Sequence, residues 1–275
     1  MIPAPFRYER AGSAEEALSL LAEHGDEAKL LAGGHSLLPL MKLRLATPSV
    51  LVDVGRVADL SYIDDSEGEV RIGALTRHHD VEHSELLQAE VPLLAHVAGH
   101  VGDRQVRHRG TIGGSLAHGD PASDLPAAVL ALGGSMVIRG AGGAERTVNA
   151  DDFFQGFLET AIQPDELLVE IRVPKTGGAG WSYQKFTKRA QDWAIVGAAV
   201  VTGDRPGVGL VNMGSTPLRA RAAEEALASG ATAADAAAVA DEGTSPSADL
   251  NASEEYRRHL AKVLVRRAIE EAATR

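Results

Sequence analysis

Cysteine is absent from the chain of 275 residues, and its absence excludes several kinds of site. Without thiol groups the chain can form no disulfide bond, no thiolate nucleophile and no cysteine-ligated zinc site. The usual thiolate ligation of an iron–sulfur cluster is excluded as well. Any redox chemistry of this chain must therefore use an organic cofactor, or a metal ion held by histidine and carboxylate groups.

Long apolar segments and basic clusters are also missing. No segment approaches the roughly 20 apolar residues that a membrane-spanning helix needs. The N-terminal sequence MIPAPFRYERAG lacks the apolar core of a signal peptide. The net charge is −11 and no block of lysine and arginine stands out, which argues against a nucleic-acid partner. We therefore expect a cytoplasmic protein that binds no nucleic acid.

The first part of the chain predicts a mixture of strands and helices. Ser13 and Glu16 form a capping-box pattern that predicts the start of a helix. The stretches EAKLLA, VLVDV and EVRIGALT predict strands, whereas residues 80–101 follow a helical pattern interrupted at Pro92. PAAVLALGG predicts a short helix, SMVIRG and ERTVNA a hairpin, and DELLVEIRVP a strand that Pro174 ends.

The last hundred residues form a second pattern. KTGGAG, residues 175–180, has the composition of a linker. After it the pattern predicts three strands, WSYQKFTKR, AIVGAAVVTG and GVGLVNMGS. An alanine-rich helical stretch covers residues 219–240, and Ser253 suits the start of a final helix. Strands followed by helices predict a separate α+β domain.

Two segments combine paired glycines with hydroxyl and histidine side chains. KLLAGGHSLLPLMKLRLA, residues 29–46, interrupts an apolar run with Gly33 and Gly34, and from Leu37 we expect the chain to return to the core. RGTIGGSLAHGDPASD, residues 109–124, repeats the pattern. A single pair of glycines is most often a turn. Two such segments together could form a split phosphate cradle lined by backbone N–H groups, with Asp124 accepting hydrogen bonds from ribose or ribityl hydroxyls. Neither G-x-G-x-x-G nor a Walker A sequence is present, so a Rossmann or P-loop fold has no support.

Histidine pairs leave a second interpretation open. His79 and His83 are four residues apart, as are His96 and His100, so each pair would share a helix face and could bind zinc or iron. Asp80 and Glu82 lie close to the first pair in sequence, but the chain contains no HExxH motif and no third ligand is evident. Solvated or buried histidine is the common explanation of such pairs. A serine hydrolase has little support, because the G-x-S-x-G motif is missing.

The two glycine segments also carry a family resemblance. AGGHSLLPLMKLRL and TIGGSLAHGDPASDLPAAVLALG closely resemble the two flavin-binding segments in the FAD subunit of molybdenum hydroxylases. That family includes the medium subunit of aerobic carbon monoxide dehydrogenase and the flavin domain of xanthine dehydrogenase. The resemblance covers essentially the whole chain. It implies an α+β fold: a vanillyl-alcohol-oxidase-type FAD-binding domain at residues 1–175, then a C-terminal domain at 176–275 with a three-stranded antiparallel sheet and helices. The first domain would consist of two α+β subdomains, at about 1–56 and 57–175.

The resemblance further implies which residues contact FAD. The pyrophosphate would lie against the first motif, which comprises Leu31, Ala32, Gly33, Gly34, His35, Ser36 and Leu37. The second motif would contribute Gly110, Thr111, Gly114 and Ser115, with His118 close behind. Asp124 would hold the ribityl hydroxyls, Leu168 would pack against the flavin, and Lys185 would lie near the isoalloxazine, followed by Asp192. Trp193 stands where the carbon monoxide dehydrogenase branch commonly has a tyrosine that shields one flavin face. Val101 replaces an aromatic residue of xanthine dehydrogenases, so stacking is not expected there.

The function implied is electron transfer by a subunit without catalytic side chains of its own. FAD would be its cofactor. Electrons would arrive from a [2Fe–2S] small subunit, and an acceptor such as NAD or a quinone would take them up. A large subunit would hold the molybdenum cofactor and choose the substrate. The complex would be a dimer of heterotrimers, and any contact with a membrane would be peripheral and made through the complex. A flavin-free structural subunit and a His-ligated metal enzyme remain the alternatives, and no substrate base for a self-sufficient oxidase is evident.

Overall fold

The computed structural model describes residues 2–275. Its strands are β1 (Arg7–Arg10), β2 (Ala28–Leu31), β3 (Val50–Asp53), β4 (Ile63–Ser66), β5 (Glu69–Gly73), β6 (Ser135–Arg139), β7 (Glu145–Asn149), β8 (Phe154–Gly156), β9 (Glu159–Thr160), β10 (Leu167–Pro174), β11 (Trp181–Phe186), β12 (Val196–Val201), β13 (Gly207–Val211) and β14 (Leu218–Arg219). Its α-helices are α1 (Ala14–His24), α2 (Leu37–Lys42), α3 (His78–His83), α4 (Glu85–Glu90), α5 (Pro92–Gly99), α6 (Arg104–Arg107), α7 (Ile112–His118), α8 (Asp124–Ala131), α9 (Ala150–Phe153), α10 (Arg221–Ala228), α11 (Ala233–Ala238) and α12 (Glu254–Ala272). None of the helices in this described part is long and apolar enough to cross a membrane.

A small parallel sheet of order β1-β3-β2 opens the chain, with α1 packed against it. The predicted capping box starts α1: the Ser13 hydroxyl accepts from the N–H of Glu16, and the Glu16 carboxylate accepts from the N–H of Gly12. Leu18 and Leu21 of α1 are buried in the same apolar cluster as β3. Because β2 and β3 are parallel, the segments that follow them emerge at the same edge of the sheet.

The segment after β2 differs from the expectation that Leu37 onward returns to the core. It forms α2, whose buried residue is Met41. Leu38, Leu43 and Leu45 are 37%, 56% and 72% exposed. The apolar residues from Leu37 to Leu45 follow neither a helical nor a strand period. Without a period, the sequence does not show which of these side chains are buried, and the prediction that the chain returns to the core was wrong.

A five-stranded antiparallel sheet, β4-β5-β10-β6-β7, carries the helices α3 to α8 and the largest apolar core. The predicted hairpin joins β6 to β7, and β10 ends at Pro174 as expected. The helical pattern of residues 80–101 is interrupted twice rather than once. The Ser84 hydroxyl caps α4 by accepting from the N–H of Leu87, and Pro92 then begins α5. The second interruption therefore comes from a serine N-cap inside a continuous apolar pattern.

The C-terminal sheet has the order β11-β12-β13-β14, so it has four strands where the sequence predicted three. The fourth, β14, is only two residues long and is too short to show a periodic pattern. The alanine-rich stretch forms two helices, α10 and α11, with Gly230 between them. Ser253 caps α12 as predicted, since its hydroxyl accepts from the N–H of Tyr256 at 3.2 Å.

The C-terminal sheet is packed between α10–α12 on one face and α8 on the other. Strand β13 alternates accordingly: Val208 and Leu210 are buried in the cluster formed with the C-terminal helices. On the opposite face, a Cβ added to Gly209 would lie 2.0 Å from the carbonyl oxygen of Ala127 in α8. The glycine allows helix and strand to approach closely. This contact places Asp124, the first residue of α8, against β11.

Candidate functional site

The first glycine segment lies where two parallel strands end. The N–H of Val54 donates to the carbonyl of Leu31 at 3.0 Å, and beyond this bond the chain leaves the sheet. Within residues 2–275, no protein atom accepts a hydrogen bond from the N–H groups of residues 33–36. Four successive backbone donors are therefore available to a ligand, which is the donor set of a phosphate site.

Gly34 gives this segment its turned conformation. Its φ of 77° lies in the left-handed region, which glycine adopts at little cost. Ser36 is right-handed, with φ −101° and ψ −51°. The left-handed Gly34 therefore turns the chain within the segment that carries the four free N–H groups. His35 is largely exposed, and partial desolvation of its ring together with the positive charge of Arg109 lowers its pKa.

In the second glycine segment, most N–H groups already donate hydrogen bonds to protein acceptors. The Thr111 hydroxyl caps α7 by accepting from the N–H of Gly114 at 3.1 Å. The N–H groups of Ile112 and Gly113 donate to carbonyls of residues 74–76 at 3.0 and 2.9 Å. The expectation that both segments offer N–H groups to an anion therefore fails for residues 112–114. These N–H groups instead hold the start of α7 against residues 74–76 and Thr111.

The two glycine segments touch each other, although they are about 80 residues apart in the chain. A Cβ added to Gly33 would lie 2.3 Å from the carbonyl oxygen of Arg109 and 2.9 Å from the Cα of Gly110. A Cβ added to Gly114 would lie 3.9 Å from the Cβ of Ala32. Gly33 is thus required by the approach of the second segment, and a side chain there would separate the two.

Arg77, which belongs to neither motif, stabilises the contact between the two segments. Its guanidinium donates to the Arg109 carbonyl, and Nη2 donates to the carbonyl of Gly55 at 3.2 Å. Gly55 follows β3, and a Cβ on it would lie 3.1 Å from the carbonyl oxygen of Ala32. A half-buried cation therefore links the ends of the first sheet to the second segment.

A buried charged cluster joins the two halves of the chain. Lys185 Nζ donates to Asp124 Oδ2 at 2.7 Å and to the His100 carbonyl at 2.9 Å. The Tyr183 hydroxyl donates to Asp124 Oδ1. The side chains of Asp124 and Lys185 are only 7% and 8% exposed. The site prediction named both residues, and the structure brings them into direct contact.

The pKa values in this cluster respond to burial and to the partner charges. Burial raises the pKa of Asp124, whereas the Lys185 ammonium and the Tyr183 hydroxyl counteract this increase. Burial and the negative charge of Asp124 raise the pKa of Tyr183 well above its ordinary value. Each carboxylate oxygen of Asp124 has a second lone pair, so the group can still accept a hydrogen bond from a ligand hydroxyl.

The remaining predicted residues lie in three different settings. Leu168 is 5% exposed and packed in the large core, on β10. Asp192 and Trp193 lie in the loop between β11 and β12, where Trp193 is 62% exposed. Half-buried positions are occupied by Leu31, Ala32, Gly34, Ser36, Leu37, Gly114, Ser115 and His118. Burial also lowers the pKa of His118.

Two residues of the site were missed from the sequence. Tyr183 lies two positions before Lys185 on β11, and strand alternation places both on one face. That spacing could have identified Tyr183. Arg77 lies in the sequence TRHHD, in which nothing distinguishes a clamping arginine from a solvated one. Its role depends on three segments that only the fold brings together.

The donors and acceptors present suit a dinucleotide cofactor. Free N–H groups at residues 33–36 suit a pyrophosphate, and Asp124 suits hydroxyl groups. Glycines line the contact between the two segments, so that backbone lies where side chains would intrude. The donors and acceptors of these residues are therefore compatible with FAD.

Comparison with known proteins identifies the family. Residues 4–176 match the model of the FAD-binding domain in molybdopterin dehydrogenase. Residues 181–272 match the CO dehydrogenase flavoprotein C-terminal domain. The chain is 42% identical to the carbon monoxide dehydrogenase medium chain of Hydrogenophaga pseudoflava, over 100% of this chain and 99% of that one. It is 37% identical to the caffeine dehydrogenase subunit beta of a Pseudomonas species, over 82% of this chain and 79% of that one.

Solved structures agree with these sequence matches. A structure of carbon monoxide dehydrogenase from Hydrogenophaga pseudoflava superposes with a TM-score of 0.96 at 42% identity, covering 100% of this chain and 99% of that chain. Quinoline 2-oxidoreductase from Pseudomonas putida 86 superposes with a TM-score of 0.91 at 32% identity, covering 100% and 99%. The predicted α+β architecture is thereby confirmed. The chain belongs to the family of FAD-binding flavoprotein subunits of molybdenum-containing dehydrogenases, which are oxidoreductases.

Proposed function

We propose that this chain receives electrons from a [2Fe–2S] small subunit and delivers them to an external acceptor such as NAD or a quinone. The observation that carries the proposal is the row of free N–H groups at residues 33–36, fixed beside the second glycine segment. Bound FAD supplies the electron chemistry, and the protein supplies binding, orientation and charge. The chain itself contributes no catalytic acid, base or nucleophile.

The chain's own residues hold and orient the cofactor. The N–H groups of residues 33–36 would bind the pyrophosphate, and Asp124 would accept hydrogen bonds from ribityl hydroxyls. Lys185 is held by Asp124 and by the His100 carbonyl, so its ammonium group has a fixed position from which it would act on the isoalloxazine. The indole of Trp193 is exposed and would be free to cover the ring.

The partners follow from what the chain lacks. It has no cysteine, so the iron–sulfur cluster must belong to another subunit. A large subunit holds the molybdenum cofactor, and the assembly is a dimer of heterotrimers in the cytoplasm. The names of the relatives cover carbon monoxide, caffeine and nicotine as substrates, at 36–42% identity to this chain. This range supports the view that the substrate is chosen by the large subunit.

A stopped-flow experiment tests electron transfer. The purified chain is loaded with FAD and mixed anaerobically with a reduced [2Fe–2S] partner subunit. We expect two equivalents of the reduced cluster to bleach the flavin absorption as they are reoxidised, and a quinone or NAD, each a two-electron acceptor, to restore it. A chain that takes up no FAD would support a flavin-free structural subunit. A flavin that the cluster protein fails to reduce would contradict the proposed electron path.

A glycine variant tests the cradle, which is the free N–H row of residues 33–36 packed against residues 109–110, independently of electron transfer. In Gly33→Ala the new methyl group would meet the Arg109 carbonyl oxygen at 2.3 Å, so the two segments must move apart. We expect a loss of about 1–3 kcal/mol in the free energy of unfolding, the usual cost of overpacking, together with a clear loss of FAD affinity. Gly140→Ala is the matched control, because the nearest atom to its Cβ is 3.8 Å away and its φ is −104°. Equal FAD affinity in both variants would contradict the cradle.

A further inference from the structure

Histidines gather at a second place, on α3 and at the end of α6. The ring centroid of His79 lies 4.2 Å from that of His83 and 4.2 Å from that of His108. Glu82 completes the group, and one ligand atom from each of His79, Glu82 and His83 lies within 4.8 Å of the others. Zinc binds such atoms at about 2.0–2.2 Å, so small side-chain rotations bring all three onto one ion.

The hydrogen bonding of His83 prepares it as a ligand. Its Nδ1 lies 2.8 Å from the carbonyl oxygen of His79. A carbonyl can only accept, so Nδ1 carries the proton and Nε2 carries the lone pair. Metal-ligating histidines use this arrangement, in which the second ring nitrogen donates to a carbonyl or carboxylate. The side chain is 58% exposed, so its free nitrogen is accessible to an ion from solution.

Glu82 provides a buried acceptor that receives no hydrogen bond. Its Oε2 is buried and receives none from the described residues. Arg107 Nε lies 2.8 Å from this oxygen and forms an ion pair with it, without hydrogen-bond geometry. Arg107 is itself held by the carbonyl of Val101 at 3.2 Å. Arg107 therefore compensates the charge of Glu82, and the carboxylate keeps lone pairs for a further ligand.

We propose that His79, Glu82 and His83 bind a divalent transition-metal ion of the zinc class, with His108 as the nearest additional donor. Imidazole and carboxylate ligands suit Zn²⁺, and two histidines and one glutamate form a known ligand set for it. The cavity has a volume of about 260 Å³ and is also lined by Arg104 and Arg107, whose charges weaken the attraction for a cation. Binding is therefore expected to be reversible, with fast exchange.

The site would connect α3 to the flavin cradle. His108 lies two residues before Gly110, and His78, at the start of α3, contacts Gly110: a Cβ there would lie 2.7 Å from His78 Nε2. The His78 N–H also donates to the Gly110 carbonyl at 3.0 Å. An ion shared by α3 and His108 would restrain the segment that packs on Gly33.

Calorimetry with zinc tests the site without any activity measurement. The untagged full-length chain is freed of metal with EDTA and titrated with ZnCl₂, and the absorption of the Co²⁺-loaded chain reports on the coordination. We expect one equivalent of Zn²⁺ to bind. The affinity should fall at least tenfold in His79→Gln or His83→Gln, because even indirect supporting residues change metal affinity by about 10–100-fold.

The second histidine pair supplies the matched control. His100 Nδ1 donates to the His96 carbonyl at 3.0 Å, so this pair shares the spacing and the hydrogen bond of the first pair. No carboxylate joins it within ligand distance among residues 2–275. His96→Gln should leave zinc binding unchanged. The proposal is overturned if the chain binds no stoichiometric zinc, if His83→Gln binds as tightly as the wild type, or if His96→Gln abolishes binding. Because His83 is exposed, its variant should fold normally, which circular dichroism checks.

Discussion

At the scale of single residues, the glycines of the two motifs serve different physical purposes. Gly34 is needed for its left-handed φ of 77°. Gly33 and Gly113 have no such φ, and instead they lie against backbone of another segment, the Arg109 carbonyl and residue Ala74. The sequence motif therefore encodes both a backbone conformation and a close approach. Only the first of these directly shapes the row of N–H donors.

His35 links cofactor binding to pH. Burial, with the positive charge of Arg109, lowers its pKa from the usual value of 6.5 in the free protein. A bound pyrophosphate favours the protonated imidazole and therefore raises the pKa of His35. Binding is then coupled to proton uptake, so the affinity for FAD should be constant at high pH and increase as the pH falls through the range between the two pKa values. Each pKa unit of difference corresponds to about tenfold in affinity.

Fluorescence titrations with FAD at a series of pH values measure this coupling. We expect His35→Gln to remove most of the pH dependence, because glutamine does not titrate. His259→Gln, an exposed histidine on α12, is the control and should keep the wild-type slope. A pH dependence that is unchanged in His35→Gln would show that His35 contacts FAD through its backbone alone.

At the scale of secondary-structure elements, the fit between β13 and α8 determines where the charged cluster lies. The two glycines on the α8-facing side of β13 let the strand approach to van der Waals contact with helix carbonyls. Asp124 begins α8, and Lys185 lies on β11 of the same C-terminal sheet. A shift of the helix relative to the sheet would therefore lengthen the Asp124–Lys185 contact.

Gly209→Ala tests this coupling. The added methyl group would lie 2.0 Å from the Ala127 carbonyl oxygen, so helix and strand must separate. We expect a loss of about 1–3 kcal/mol in the free energy of unfolding, and a clear loss of bound FAD. Urea unfolding and the flavin content of the purified chain measure the two effects.

The same strand offers a control on its other face. Val208→Ala removes buried methyl groups from the cluster with α10–α12 and leaves the α8 contact in place. We expect a comparable loss of stability with normal FAD content. If both variants lose FAD in proportion to their stability, the effect of Gly209→Ala is a general one and the proposed coupling is wrong.

The elements that the sequence predicted correctly are those with a local chemical signature. The N-caps Ser13 and Ser253 start α1 and α12 as expected, and Pro174 ends β10. The sequence predictions that failed did so because the features concerned depend on tertiary contacts. β14 is a strand only because it pairs with β13, and the N–H groups of Ile112 and Gly113 are used by a turn near residue 75. Motif composition predicts which residues form the site, but it does not predict which backbone donors the protein itself occupies.

At the scale of the whole molecule, the exposed apolar surface indicates how the chain assembles. Leu38, Leu43 and Leu45 lie on and after α2, and Leu38 Cδ1 lies 2.9 Å from the point where a Cβ on Gly34 would stand. The surface therefore borders the cofactor cradle. Exposed apolar side chains that lie together mark protein–protein interfaces, and we propose that the [2Fe–2S] subunit covers this surface.

Leu43→Asp combined with Leu45→Asp tests this assignment. Both side chains are exposed, at 56% and 72%, so the double variant should fold and bind FAD normally. Placing two carboxylates in a desolvated interface should weaken assembly by several kcal/mol, because buried unpaired charges are costly. Co-purification of the three co-expressed subunits measures this. Leu250→Asp is the control: this leucine is fully exposed, in the segment that precedes α12, and its variant should assemble normally. If the double variant assembles as well as Leu250→Asp does, the cluster subunit binds another surface, and the leucines after α2 need a different explanation.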